Sequence, residues 1–108
     1  MKHISISEFK NVLAADAENP AIDFINVCTP GEYAAAHIPG VRSMPLDTLT
    51  AHVGELKDKK MVYVHCRSGA RSQMAIQTLQ SLGVTAELVN VEGGIMAWEG
   101  AGHPTKSV

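Results

Sequence analysis

The chain has 108 residues and a mass of 11.5 kDa, one domain's worth, and its 45% apolar and 19% charged composition is globular rather than disordered. Nine basic and eleven acidic residues leave a net charge of −2. That gives nucleic acid no electrostatic footprint, and no apolar run approaches the ~20 residues of a membrane span.

Met1 to Glu8 lacks the apolar stretch that opens a secretory signal, so the expected location is the cytoplasm. The two cysteines, Cys28 and Cys66, read there as thiols rather than as a disulfide scaffold. In chain order, Ser7 reads as the N-cap of a helix over 8–15, with Phe9, Val12 and Leu13 on one face. A strand follows over 21–27, entered after Pro20. Pro30 opens a short helix over 30–36, ended by His37-Ile38-Pro39-Gly40. Residues 49–56 form a weaker helical stretch, interrupted by Gly54. Lys60 to His65 is the clearest strand, bulky and β-branched with little polar alternation, as in a strand covered on both faces. Ser72 to Leu82 is the clearest helix, with Gly83 as its stop. Residues 87–91 form a further strand and 94–98 a last short helix.

No repeat, low-complexity tract or linker divides residues 1–108, which read as a single domain. Strands separated by helices predict an α/β fold, with a largely parallel central sheet covered on both faces in three α/β/α layers. Ligands of such sheets gather outside the carboxyl ends of the strands. The segment joining the best strand to the best helix is Cys66-Arg67-Ser68-Gly69-Ala70-Arg71, and it holds two of the three arginines. A helix start leaves backbone N–H groups without intrahelical partners. Curled around Cys66, those donors make an anion nest, the helix dipole adds positive potential, and Gly69 permits the bend. Thiolate is then favoured over thiol. The bland alternative is a buried cysteine closing a strand beside solvated arginines. The crowding of sulfur, glycine and both arginines into six residues at one strand-to-helix junction argues against it.

Residues 66–72, together with Glu32-Tyr33-Ala34-Ala35-Ala36-His37-Ile38-Pro39-Gly40 and Glu92-Gly93-Gly94-Ile95-Met96-Ala97-Trp98, resemble the motifs of rhodanese-type sulfurtransferases, in family order and over about residues 4–104. The resemblance implies a three-layer rhodanese domain with Cys66 as a nucleophile that carries a persulfide. It implies that the backbone of Arg67, Ser68, Gly69, Ala70 and Arg71 holds the bound anion, with no metal and no cofactor. The implied partners are a small anionic sulfur donor such as thiosulfate and a thiophilic acceptor, either cyanide or a thiol, including a thiol on a protein. A second reading keeps the persulfide but hands it only to a protein partner, as a relay or sensing module. A third is a phosphatase or arsenate reductase. Those enzymes have a similar loop with one more residue between cysteine and arginine than the four between Cys66 and Arg71.

Family members commonly carry Asp-x-Arg where this chain reads Asn26-Val27-Cys28. The family's arginine often pairs with the glutamate equivalent to Glu32, which here must be solvated or paired otherwise. Cys28 should end its strand on the same sheet edge as Cys66, which makes it a candidate resolving thiol; a small apolar residue under a loop is the plainer alternative. Ser72 reads as a helix cap, His37 and His65 as structural histidines, and His3, His52 and His103 show no metal spacing.

Overall fold

The run Met61–His65 (β4) lies in the interior of the sheet, flanked by a strand on either side. The computed structural model describes residues 1–108 and contains five strands, all parallel: β1 (Lys2–Ile4), β2 (Ile22–Asn26), β3 (Arg42–Ser43), β4 and β5 (Glu87–Val91). Their order is β1-β5-β4-β2-β3. The helices are α1 (Ile6–Asp16), α2 (Pro30–Ala35), α3 (Leu49–His52), α4 (Ala70–Ser81) and α5 (Gly94–Gly100), with short 3-10 turns on either side of α3. Alternation along the strands divides the core in two. Ile25, Val62, Val64 and Cys66 pack with Ala75, Ile76 and Leu79 of α4 and with Leu49 of α3. Phe24, Tyr63 and Val89 pack with Phe9 of α1 and with Ile95 and Trp98 of α5. The expected three layers are present. The accessible surface of 5632 Å² is close to the roughly 5,800 Å² that size scaling gives a chain of this mass. No helix is long and apolar enough to cross a membrane.

Two helix starts differ from expectation. Ser5, not Ser7, caps α1: its Oγ accepts the Glu8 N–H at 3.2 Å. The Ser5-x-x-Glu8 spacing competes with Ser7 and prevails because Glu8 returns to the Ser5 hydroxyl. At α4 the cap is Gly69, and the helix begins at Ala70, two residues before Ser72. Strands β1 and β3 had no signal in the sequence. They are three and two residues long, too short for a period, and each exists only through its neighbour, β5 or β2.

Candidate active site at the end of β4

Strands β2 and β4 are adjacent and in register, Asn26 opposite His65, so both stop on one edge. The Val27 N–H extends the ladder to the His65 carbonyl at 2.9 Å. Cys66 comes next and is buried. The chain turns at Gly69, whose φ of +120° suits a residue without a side chain, and its N–H donates to Cys66 Sγ at 3.0 Å.

The loop's N–H groups can face the sulfur because its carbonyls are held from outside. The N–H groups of Ile95 and Met96, in the first turn of α5, donate to the Cys66 and Arg67 carbonyls, each at 3.0 Å. His65 Nδ1 donates to the same Cys66 carbonyl at 2.9 Å; the carbonyl can only accept, so the proton sits on Nδ1 and Nε2 is left bare and buried without a partner. Burial holds the ring neutral, pushing its pKa down to about 4. Gly94 makes the approach of α5 possible: a Cβ there would lie 2.3 Å from the Cys66 carbonyl oxygen and 2.7 Å from that of Arg67.

Burial pushes the Cys66 thiol up. The Ser72 hydroxyl and N–H, followed by the N–H groups of Gly69 and Ser68, outweigh it, and the thiol lies below its ordinary range. Ser72 is therefore part of the site rather than its cap. It is the third residue of α4 and fully buried. Its Oγ lies 3.5 Å from Cys66 Sγ, 3.0 Å from the Gly69 carbonyl and 2.5 Å from Asn90 Oδ1. Asn90, on β5, had no place in the sequence reading, although a lone amide inside the apolar run Leu88-Val89-Asn90-Val91 was the signal available.

The two loop arginines part company. Arg71 makes a bidentate pair with Glu32, Nη1 at 2.6 Å and Nη2 at 2.9 Å. Arg71, with help from the Thr29 N–H, holds the Glu32 carboxyl down at about 2. Thr29 and Glu32 also form the capping box of α2. The partner that Glu32 lacks at position 28 is thus supplied by the loop itself. Arg42 is spent on Asp23 and Glu55. Arg67 takes part in none of the ion pairs. It lines a small cavity of about 140 Å³ with Cys28, Glu32, Ala35, Ile95 and Glu99. Ser68, Gly69 and Ala70 instead line an open cleft of about 490 Å³ with His3, Asn90 and Glu92.

Cys28 is buried in the wall of the first cavity and, like Cys66, is a free thiol. Its N–H is tied to Asn26 Oδ1 at 2.8 Å. Nothing donates to its sulfur, and burial pushes it up to about 11 against the pull of Arg71. His37 sits at the end of α2, stacked on Tyr33 at 4.1 Å with Nδ1 on the Tyr33 carbonyl at 2.9 Å, a structural role. No three His, Cys, Asp or Glu side chains are grouped to hold a metal ion.

The rhodanese-like domain profile matches residues 9–101. A sulfurtransferase of Allochromatium vinosum is 33% identical over 98 residues, 91% of this chain and 89% of that protein. The putative sulfur carrier protein YrkF of Bacillus subtilis is 34% identical over 97 residues, 90% of this chain but 50% of its own length. The chain spans 49 to 60% of the length of the first curated relatives it matches. Among solved structures, a rhodanese-like domain protein from Staphylococcus aureus superposes with a TM-score of 0.76 at 33% identity, covering 91% of each chain. The sulfur-centred loop, the α5 clamp upon it and these matches agree: the chain belongs to the rhodanese-like family and is homologous to sulfurtransferases.

Proposed function

We propose that Cys66 is the catalytic nucleophile of a thiosulfate sulfurtransferase acting in the cytoplasm. The Cys66 thiolate attacks the outer sulfur of thiosulfate or a similar donor. The new S–S bond forms as the donor's own S–S bond breaks, its electron pair leaving with sulfite, and the product is a Cys66 persulfide anion. Cyanide or a thiol then takes the outer sulfur and returns the thiolate, a ping-pong cycle. The observation that carries this reading is the buried Cys66 sulfur receiving the Gly69 N–H at 3.0 Å. It is a donor fixed in place before any charge arrives.

Within the proposal, the backbone from Arg67 to Arg71 cradles the persulfide, and Arg67 is the guanidinium that meets an anionic donor. Arg71 contributes less than its position promises, because Glu32 neutralises it. Cys28 is the candidate resolving thiol: its thiolate would attack Cys66 Sγ, closing a Cys28–Cys66 disulfide and expelling hydrosulfide. With its thiol near 11, only on the order of one in 10,000 Cys28 side chains is ionised at neutral pH, so resolution would be slow there and accelerate as pH rises.

The relay reading keeps one specific support. Glu32 and Glu99 share the small cavity with Arg67, and Arg71 is paired with Glu32, which leaves little surplus charge to attract a dianion, and a thiol-bearing protein would not need it. Phosphate-ester chemistry has no such support, since Arg71 is already bonded to a carboxylate.

The test is intact-mass analysis after thiosulfate treatment, paired with steady-state thiocyanate formation. One added sulfur mapping to Cys66, absent from Cys66→Ser, with sustained turnover is the expected result. A stable persulfide with negligible turnover selects the relay, and no added sulfur ends both.

A further inference from the structure

A line of polar contacts runs from the Cys66 sulfur to the open cleft. Cys66 Sγ lies 3.5 Å from Ser72 Oγ, Ser72 Oγ 2.5 Å from Asn90 Oδ1, and Asn90 Nδ2 3.0 Å from His3 Nδ1. Ser72 and Asn90 are buried, whereas His3 is exposed. The last link is built into the sheet, because the register of β1 on β5 sets His3 directly beside Asn90.

Such a line has a direction. Ser72 has a single hydroxyl proton. With Cys66 as a thiol, S–H donates to Oγ, the hydroxyl donates to Asn90 Oδ1, and the Asn90 amide donates to an unprotonated His3 Nδ1. A thiolate needs a donor where the thiol needed an acceptor. If the Ser72 proton turns onto the sulfur, Oγ becomes an acceptor and the buried Asn90 carbonyl loses its donor, a costly vacancy. Half a turn of the amide repairs this: Nδ2 donates to Oγ, and Oδ1 faces His3, where only an Nδ1–H can meet it.

We propose that Asn90 is a positioning residue whose amide turns over when Cys66 ionises, so that the charge state of the sulfur sets which nitrogen of the His3 ring carries a proton. The proton count closes without charging the ring. The proton that leaves Sγ passes to water, while His3 changes from its Nε2–H to its Nδ1–H tautomer. No oxidant or reductant takes part. The inference rests on the sulfur-transfer reading only in taking Cys66 as the reacting sulfur. It adds a hydrogen-bonded link from the sulfur that opens into the cleft, whose lining shares no residue with the cavity of Arg67 and Cys28.

Other charges act here through space only. Arg67, the Arg71–Glu32 pair, Cys28 and the neutral His65 surround Cys66, and Glu92 shares the cleft with His3. Ser72→Ala leaves all of them in place and cuts the line.

The experiment follows the ring nitrogens of His3 in the full chain by two-bond proton–nitrogen correlation, assigned by their loss in His3→Gln. Cys66 ionisation is tracked by thiolate absorbance as a difference from Cys66→Ser. The expected result is a change of His3 to the Nδ1-protonated form at the Cys66 midpoint. It should be missing in Cys66→Ser and in Ser72→Ala, the latter still forming a thiolate but alkylating roughly fivefold more slowly, the worth of one hydrogen bond. If Ser72→Ala does not fold, Asn90→Leu cuts the same line one link further out and must give the same loss of response. A His3 ring indifferent to Cys66, or one that responds equally without Ser72, overturns the inference. Sulfur uptake measured on the same samples separates the two claims: a persulfide beside a silent His3 defeats the amide turn alone, and a responsive His3 without persulfide defeats sulfur transfer alone.

Discussion

Cys28 and Cys66 lie just beyond two adjacent parallel strands, on one edge of one sheet, and both are buried and free. Their thiols nevertheless move in opposite directions, Cys28 up to about 11 and Cys66 down. Burial works against the anion at both. At Cys28 the nearby donor, its own N–H, is spent on Asn26, and charge at a distance does not compensate. At Cys66 the chain turns so that the Gly69 N–H and the Ser72 hydroxyl reach the sulfur. Local donors at hydrogen-bond range, rather than guanidinium charge, separate the lowered thiol from the raised one.

The contrast can be broken most completely at the sulfur itself. Cys66→Ser should lose all sulfur uptake in intact-mass analysis, whereas Cys28→Ser should still carry one added sulfur on Cys66. The next largest effect is expected from Gly94→Ala. A methyl 2.3 Å from the Cys66 carbonyl oxygen must push α5 off the loop, and a misplacement of ~1 Å costs about a hundredfold in rate. Cys66 alkylation and thiocyanate formation should both fall by that order, with circular dichroism showing whether the rest of the fold persists. A pH series of iodoacetamide labelling sharpens the comparison without mutation. Cys28 near 11 against Cys66 below 9.0 gives Cys66 at least about a hundredfold more thiolate at neutral pH, so peptide mapping should find Cys66 labelled first, with the gap closing above pH ~10.

The clamp on the Cys66 side has its own signature in acid. Above pH ~6.5 His65 is neutral both folded and unfolded, and its stability contribution is constant. Between there and pH about 4 the unfolded chain binds a proton that the folded one refuses. Denaturant unfolding should therefore lose up to about 3 kcal/mol over that window and then level off. Stability unchanged between pH 7 and 4.5 would contradict the neutral buried ring. The smallest effect concerns the donor. Glu32→Gln releases Arg71, and the KM for thiosulfate should fall roughly two- to fivefold with kcat little changed, at a stability cost of about 1 kcal/mol, the upper end for a surface ion pair because this one is half-buried.

The alternation of elements, the parallel sheet and the position of Cys66 were legible in the sequence because each is written over neighbouring residues: a bulky strand, a glycine-bearing turn, a helix. Ser72 was visible but given the wrong task. Its proximity to the sulfur depends on α4 starting two residues earlier than its apolar period indicates, at a glycine with no capping side chain. Asn90 and His3 lie 18 and 87 positions from their respective partners Ser72 and Asn90, and the pairing of β1 with β5 that unites them leaves no mark in three residues. The fate of Arg71 was hidden for a similar reason. Nothing within the loop indicates that Glu32, 39 positions earlier, will claim it once Cys28 stands where an arginine is usual.

The clamp of Ile95 and Met96 on the Cys66 and Arg67 carbonyls also sets an order in time. Twenty-nine positions separate Cys66 from Ile95, the α5 residue whose N–H holds its carbonyl, so this side of the loop stays unfastened until late in synthesis. The loop carbonyls find these donors only once α5 has been made and has docked, which ties the finished shape of the loop to the near-completion of the fold.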